Sequence, residues 1–138
     1  MSLTYNTNKI EGSTLTEDET ASILFENISL KNKSLIEQLE AKNHQTAFVF
    51  MFDSLRKKNS IDKDLILRLH AILMNSIRTD AGFYRTHGVR IIGSNIATAN
   101  YLKVPVLIDE LIKDINKDSK DVIAHVADIH ARFDSSFF

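Results

Sequence analysis

Histidines, carboxylates and glycines are all present in this chain, but not in the arrangement of a familiar active site. His125 and His130 are five residues apart, so they do not share a helix face as an i, i+4 pair would. The sequence contains no His-Glu-x-x-His and no carboxylate cluster at metal-binding spacing. His44, His70 and His130 each lie beside apolar residues in predicted helices, and we interpret them as structural. The sequence predicts no metal site.

Sequence motifs for phosphate-binding loops and for nucleophile elbows are also missing. Gly82 and Gly88 are six residues apart, but no strand-to-helix turn of the Walker or dinucleotide-binding type surrounds them. No Gly-x-Ser-x-Gly nucleophile elbow occurs. The chain has no cysteine, which excludes disulfides, thiolate zinc sites and a cysteine nucleophile and fits a reducing cytoplasm, where we expect the protein.

The bulk composition is that of one globular domain. The chain has 138 residues, of which 43% are hydrophobic and 25% are charged, and this balance argues against disorder. Its formal net charge of −1 does not mark a general binder of nucleic acids or membrane surfaces. No stretch approaches the roughly 18 consecutive apolar residues of a membrane helix. We therefore predict a single soluble domain, residues 1–138, with neither nucleic acid nor membrane as a partner.

Helices are the elements expected to build this domain. Thr16 and Glu19 have the spacing of a capping box, so a helix is predicted from Thr16 to about Asn27. Apolar residues at helical spacing predict a longer helix from Ser34 to Lys58. Because every face is apolar between Phe48 and Phe52, we expect that part to be buried all round.

Three further helices follow from caps and apolar stripes. Asp62 is expected to cap a helix that extends to about Ser76, and Pro105 suits the first turn of another. A last helix is predicted from near Ser119. The residues expected to face inward are Leu65, Leu69, Ile72 and Leu73 in the first of these helices, Leu107, Ile108, Leu111, Ile112 and Ile115 in the second, and Val122, Val126, Ile129 and Phe133 in the last.

One segment has the pattern of strands. Val89-Arg90-Ile91-Ile92 is short and β-branched, and Gly93-Ser94-Asn95 follows it as a turn. Residues 97–102 are expected to return beside the first strand. The predicted fold class is therefore mainly α with one β-hairpin.

Several segments, taken in order, resemble the Fic (Fic/Doc) family, whose members transfer AMP from ATP to hydroxyl groups of proteins. The resemblance covers nearly the whole chain. The segments are Thr7-Asn8-Lys9-Ile10-Glu11-Gly12, Leu69-His70-Ala71-Ile72-Leu73, Ala81-Gly82-Phe83-Tyr84-Arg85-Thr86, Val89-Arg90-Ile91-Ile92-Gly93-Ser94 and His130-Ala131-Arg132-Phe133-Asp134. The resemblance implies a Fic-like helical bundle with one β-hairpin, which is called the flap in this family.

The first of these segments matches the inhibitory motif of the family, (Ser/Thr)-x-x-x-Glu-(Gly/Asn), at Thr7, Glu11 and Gly12. The resemblance implies that residues 1–15 form an inhibitory segment and that residues 16–138 form an incomplete Fic core. In the family, the glutamate pairs with an arginine of the active loop and keeps the ATP γ-phosphate from its productive position. Without the resemblance, Glu11 would be read as a solvated carboxylate at a helix end.

The resemblance also implies a role for the hairpin at Val89, Arg90, Ile91, Ile92 and Gly93. In the family this strand lies against the nucleotide, and its exposed edge pairs with an extended segment of the target protein by β-augmentation. The alternative is a plain connecting hairpin packed on the core. The sequence leaves open whether Tyr84 and Arg85 pack under the hairpin or face the site.

The catalytic loop of the family, Ile-His-Pro-Phe-x-(Asp/Glu)-Gly-Asn-Gly-Arg, does not occur in this sequence, which ends in Ser136-Phe137-Phe138. ATP and Mg²⁺ are expected for an intact family domain, yet no catalytic or metal-binding role can be assigned to a residue here. We expect the 138 residues to be inactive by themselves. The alternative functions are a non-enzymatic module for protein binding or regulation and a gene product without a role.

In the family, a further element covers the last helix. Without that element, Val122, Val126, Ile129 and Phe133 would be exposed in part. Burial of one such side chain is worth roughly 1.5–3 kcal/mol. The sequence therefore predicts self-association into a homo-oligomer, a partner that supplies the cover, or a chain that is a fragment of a longer gene product.

Overall fold

Helices make up the regular structure of the computed structural model, which describes residues 1–57, 60–89 and 98–137, the last four of these by their backbone alone. The helices are α1 (Ser2–Ile10), α2 (Glu17–Phe25), α3 (Leu35–Arg56), α4 (Lys63–Leu73), α5 (Val104–Ile115) and α6 (Val122–Phe137), and a 3-10 turn occupies Tyr101–Lys103. No strand occurs among the described residues. The predicted mainly helical class is confirmed.

Among the residues described, no helix combines the length and the apolar character that crossing a bilayer requires.

The chain divides into two compact units. One comprises Met1–Asn59 and Arg68–Gly82, and the other comprises Ser60–Leu67 and Phe83–Phe138. Helix α4 contributes its first part to the second unit and its remainder to the first. That residues 1–138 form a single domain stays a prediction.

In the first unit, α1, α2 and α3 pack against one another. The predicted capping box begins α2: Thr16 Oγ1 accepts from the Glu19 amide at 3.2 Å, and Glu19 Oε2 accepts from the Thr16 amide at 2.8 Å. Ser34 caps α3 by accepting from the amide of Ile36. Leu15, Ile23 and Ala41 form the buried core of this unit.

In the second unit, α5 and α6 pack against each other. Pro105 lies in the first turn of α5, as predicted, and Asp62 caps α4 by accepting from the amide of Leu65 at 2.8 Å. The buried core consists of residues on one face of α5, Val104, Ile108 and Leu111. The partly buried side chains packed against it are Ile66, Tyr84, Ile112, Ile115, Ile129 and Phe133.

The prediction that residues 48–52 are buried on every face is wrong. Val49 is 57% exposed and Phe52 is 47% exposed, and the other three are half-buried. The buried side of α3 is instead lined by small and polar residues, among them Ala41 and Ala47. The apolar pattern marked the helix correctly but did not identify the face that packs.

The last helix also differs from its prediction. It begins at Val122 rather than near Ser119, and Asp121 accepts from the amide of Ala124 at its start. Ile129 and Phe133 pack against the α5 core as predicted, but Val122 and Val126 are 65% and 59% exposed. The four residues share one face, and only the C-terminal part of that face meets α5.

The predicted return strand, residues 97–102, is partly wrong because Tyr101–Lys103 forms a 3-10 turn capped by Asn100. Residues 90–97, which include most of the predicted hairpin, lie outside the described residues.

Candidate functional site

The predicted inhibitory residues lie at the C-terminal end of α1, in the first unit. Thr7 is half-buried within the helix, Glu11 is the exposed residue that ends it, and Gly12 follows with a φ of +94°. The Gly12 amide donates to the Lys9 carbonyl, and the Ser13 amide donates to the Asn8 carbonyl at 2.9 Å. These two bonds form a Schellman motif, which needs a left-handed residue directly after the helix. The conformation of Gly12 therefore fixes the backbone directly after Glu11.

The chain after Glu11 is held on α3 by two charged side chains. Glu37 Oε1 accepts from the Thr14 amide at 2.5 Å, and Lys33 Nζ donates to the Thr14 carbonyl at 2.8 Å. The bond from Thr14 is the main reason that the pKa of Glu37 lies below its ordinary value. Leu15, the next residue, is 2% exposed in the core. The segment that carries Glu11 is thus anchored within four residues of the motif.

A carboxylate of α3 lies within electrostatic reach of Glu11. The pKa of Glu40 is raised by burial first, and then by the negative charges of Glu37 and Glu11. Two cations also border this segment, since Lys9 Nζ donates to the Ser13 carbonyl and Lys33 Nζ donates to the Thr14 carbonyl.

Helix α1 itself is attached to α3 by a polar contact that sequence reasoning missed. Thr4 is 5% exposed, and its Oγ1 lies 3.1 Å from Nδ1 of His44, with which it forms a hydrogen bond. Burial lowers the pKa of His44, so the imidazole is neutral at pH 7. The interpretation of His44 as structural is confirmed. The two residues are forty positions apart, and no local pattern connects them.

His70 likewise has a structural partner. Its Nδ1 accepts from the Gly82 amide at 3.1 Å, and burial is the main cause of its lowered pKa. The bond joins α4 to the turn at Gly82, where the φ is +84°. Among the residues that the structure describes, no three histidine, aspartate or glutamate side chains could share a metal ion, so none is assigned to Mg²⁺.

The predicted flap belongs to the second unit. Of its five residues, Val89 is described and is half-buried, whereas Arg90, Ile91, Ile92 and Gly93 lie outside the described residues. The Val89 carbonyl accepts from Thr98 Oγ1 at 2.6 Å. The two residues that flank the segment 90–97 are therefore bonded to each other.

Tyr84 and Arg85, whose positions the sequence left open, both pack in the second unit. The Tyr84 ring lies against the α5 core, with Lys63 Nζ 5.9 Å from its centroid. Arg85 is 9% exposed and donates from Nη1 to the His87 carbonyl at 3.1 Å and from Nη2 to the Ala99 carbonyl. Arg85 thus bonds both to the chain before the first predicted strand and to the predicted return strand.

The chain was found to be similar to known proteins at the level of family and of fold. A family model described as "Fic/DOC family" matches residues 60–137. No curated protein matches the chain at a significant level.

Solved structures similar to the chain include two of Fic-1 from C. elegans. One is a variant with a glutamate replaced by glycine. Its sequence identity to this chain is 24% and its TM-score is 0.79, and the match covers 90% of this chain and 38% of the Fic-1 chain. The other shares 26% identity with a TM-score of 0.75, over 91% of this chain and 38% of that one. The chain spans 38% of the length of each of these proteins.

Proposed function

The chain belongs to the Fic/DOC family, and on that premise we propose that it is a Fic-type domain of a self-inhibited AMP-transferase. The parent reaction is transfer of AMP from ATP, with Mg²⁺, to a Ser, Thr or Tyr hydroxyl of a target protein. The match to the family over residues 60–137 carries this proposal. Because the described residues offer no group that fits a metal ion, no step through Mg²⁺ is assigned to them.

The inhibitory role of Glu11 is supported by three features of its segment. The carboxylate is exposed at the end of α1, the Gly12 cap and the Thr14 anchor fix its backbone, and Glu40 lies within electrostatic reach of it. An exposed carboxylate is suited to a charge-assisted bond with a guanidinium. The same carboxylate repels a phosphate group. Both effects agree with a glutamate that pairs with an active-loop arginine and opposes the γ-phosphate.

The second part of the proposal concerns residues 89–93, which we assign to nucleotide contact and target docking. The support is the family match together with the bond between Val89 and Thr98, which closes the base of the segment as a hairpin requires. An extended segment of a target protein would pair with the exposed strand edge. We also propose that the protein is cytoplasmic and forms a homo-oligomer.

Catalysis is the first test. The 138 residues contain no catalytic His-Pro-Phe loop, so we expect no transfer when they are incubated with labelled ATP, Mg²⁺ and a cell lysate. An active domain of the same family, added to a parallel reaction, shows that the lysate contains an acceptor. Robust labelling by the 138 residues alone would contradict the proposal.

Nucleotide binding is the second test, and it separates an enzyme-derived site from a docking module. Calorimetry with ATP and Mg²⁺ measures this binding, and if the chain binds ATP, Glu11→Gln should tighten the binding because a negative charge is removed. Glu17→Gln, which changes an exposed glutamate at the start of α2, is the matched control and should have no effect. Absence of ATP binding by the wild-type chain favours the non-enzymatic module.

A further inference from the structure

We propose that Arg85 is a positioning residue that joins the two chain segments at the base of the predicted flap. It lies in the family segment Ala81–Thr86, whose roles the sequence left open. The inference depends on the proposed function only for the role of the flap in nucleotide contact and target docking. The connection that Arg85 makes between the two segments is seen in described residues of one unit.

The first observation is that one guanidinium bonds to two distant parts of the backbone. Nη1 donates to the carbonyl of His87, and Nη2 donates to the carbonyl of Ala99. The two carbonyls are twelve positions apart in the sequence, one before the first predicted strand and the other within the predicted return strand. Arg85 is 9% exposed, so these bonds form away from bulk water. A bond from a charged donor is stronger than a neutral one, particularly where water is excluded.

The second observation is a bond that reinforces the same closure. Thr98 Oγ1 donates to the Val89 carbonyl at 2.6 Å. The two connections are nested: the bond between Val89 and Thr98 is the inner one, and the Arg85 bridge between the carbonyls of His87 and Ala99 is the outer one. A buried cation is costly unless its donors are satisfied, so the fold gains from keeping both carbonyls in place around Arg85.

Arginine is the residue type that this closure requires. Its guanidinium is planar and presents donors in a fixed fork, so two acceptors on different segments can be bonded at once. A lysine keeps the charge but concentrates its donors on one flexible ammonium group. Arg85→Lys is therefore a variant that keeps the charge and loses the geometry.

Hydrogen exchange of backbone amides tests the closure. In Arg85→Lys we expect exchange in a peptide covering residues 86–100 to be about tenfold faster or more, the effect of losing one charge-assisted bond. Exchange in α5 and α6 should stay unchanged. A residue that merely stabilises the whole unit would accelerate exchange in those helices as well. Arg68→Lys, at an exposed arginine of α4, is the control and should change neither region.

A second variant keeps the test decisive if Arg85→Lys does not fold. Thr98→Val conserves the shape of the side chain and removes the bond to Val89, so it should also accelerate exchange in residues 86–100. Thr86→Val, at an exposed threonine nearby, should not. Unchanged exchange in both Arg85→Lys and Thr98→Val, or equal acceleration throughout α5 and α6, would overturn the inference.

Calorimetry with ATP and Mg²⁺ on the same variants links the closure to function. If the wild-type chain binds ATP, we expect Arg85→Lys to weaken binding several-fold while the melting temperature stays within the range of the control. Unchanged affinity in a variant with accelerated exchange would overturn the link to the flap. If the wild-type chain does not bind ATP, the non-enzymatic module is favoured, and the exchange data still decide whether Arg85 closes the base.

Discussion

The Tyr84 hydroxyl is buried and has no hydrogen-bond partner among the residues that the structure describes. Its ring is packed against Val104, Ile108 and Leu111, and burial raises the pKa of the phenol, with a further contribution from Asp109. A buried polar group without a partner costs roughly 1–3 kcal/mol. The aromatic ring therefore stabilises the second unit, whereas the hydroxyl opposes it.

We expect Tyr84→Phe to be neutral or to raise the free energy of unfolding by up to about 1 kcal/mol, because the ring stays and the unbonded hydroxyl is removed. Urea denaturation measures the change. Tyr5→Phe is the control, because the Tyr5 hydroxyl is not among the buried groups that lack a hydrogen-bond partner. It should not raise the free energy of unfolding. A loss of more than about 1 kcal/mol in Tyr84→Phe would show that the hydroxyl is bonded.

Asp80 forms a two-pronged ion pair with Arg78, with both nitrogen–oxygen distances at 2.8 Å. The hydrogen bonds from Arg78 are the main reason that the pKa of Asp80 falls from 3.8 to about 2. Since the pKa is lower in the folded state, the pair stabilises the fold above pH 4 and loses this effect as the pH falls towards 2. The side chains are partly exposed, so the effect is limited to about 0.2–1 kcal/mol.

We therefore expect Asp80→Asn to be less stable than the wild type by up to about 1 kcal/mol at pH 7, and the difference to fall by more than about half at pH 2. Urea midpoints at the two pH values measure this difference. Asp64→Asn, at an exposed aspartate, is the control. A difference that is undiminished at pH 2 would assign the effect to packing rather than to charge.

At the scale of elements, the end of α1 shows why the inhibitory motif closes with glycine or asparagine. Gly12 adopts a φ of +94°, a region that these two residue types enter most readily. A Cβ at this position would meet no atom within 4 Å, so the requirement comes from the backbone and not from crowding. The last motif position thus orients Glu11 through the helix cap.

Gly12→Ala should lower the free energy of unfolding by about 1–2 kcal/mol, the cost of a Cβ in the left-handed region, and Gly12→Asn should cost less. Urea denaturation and far-UV circular dichroism would record the loss of stability and of α1 helicity. Gly88→Ala is a matched control, because its Cβ also meets open space but its φ is not left-handed. Equal effects of the two alanine substitutions would reject the cap as the cause.

At the scale of the whole molecule, large apolar side chains remain on the surface of α6. Val122, Ile123 and Val126 are 65%, 84% and 59% exposed. Neighbouring apolar residues on one helix form a patch of the kind that promotes association. The exposure of Val122 and Val126 agrees with the expectation that this helix lacks a complete cover. Whether a second copy supplies that cover stays a prediction.

We expect the 138-residue chain to self-associate with increasing concentration, and Ile123→Lys combined with Val126→Lys to shift it towards the monomer. Size-exclusion chromatography with light scattering measures the mass. Ala127→Lys, at another exposed position of the same helix, is the control and should leave the mass unchanged. A wild-type chain that is monomeric at every concentration contradicts the prediction.

Local chemistry made several elements predictable from sequence. The capping box of Thr16 and Glu19, the cap at Asp62 and the proline in the first turn of α5 act over no more than four residues, so the sequence contains the complete interaction. The apolar stripe of α5 was predictable for the same reason. The family motifs were also recognisable, because they are short and occur in a fixed order.

The sequence by itself determined the helical class, the caps, most helix positions and the family, since these depend on neighbouring residues or short motifs. Only the tertiary structure decided which helix faces are buried, that α1 docks through Thr4 and His44, and that Arg85 joins His87 to Ala99. Burial and long-range hydrogen bonds require a partner from a distant part of the chain. Periodicity reveals that a face is apolar, but not whether another element covers it.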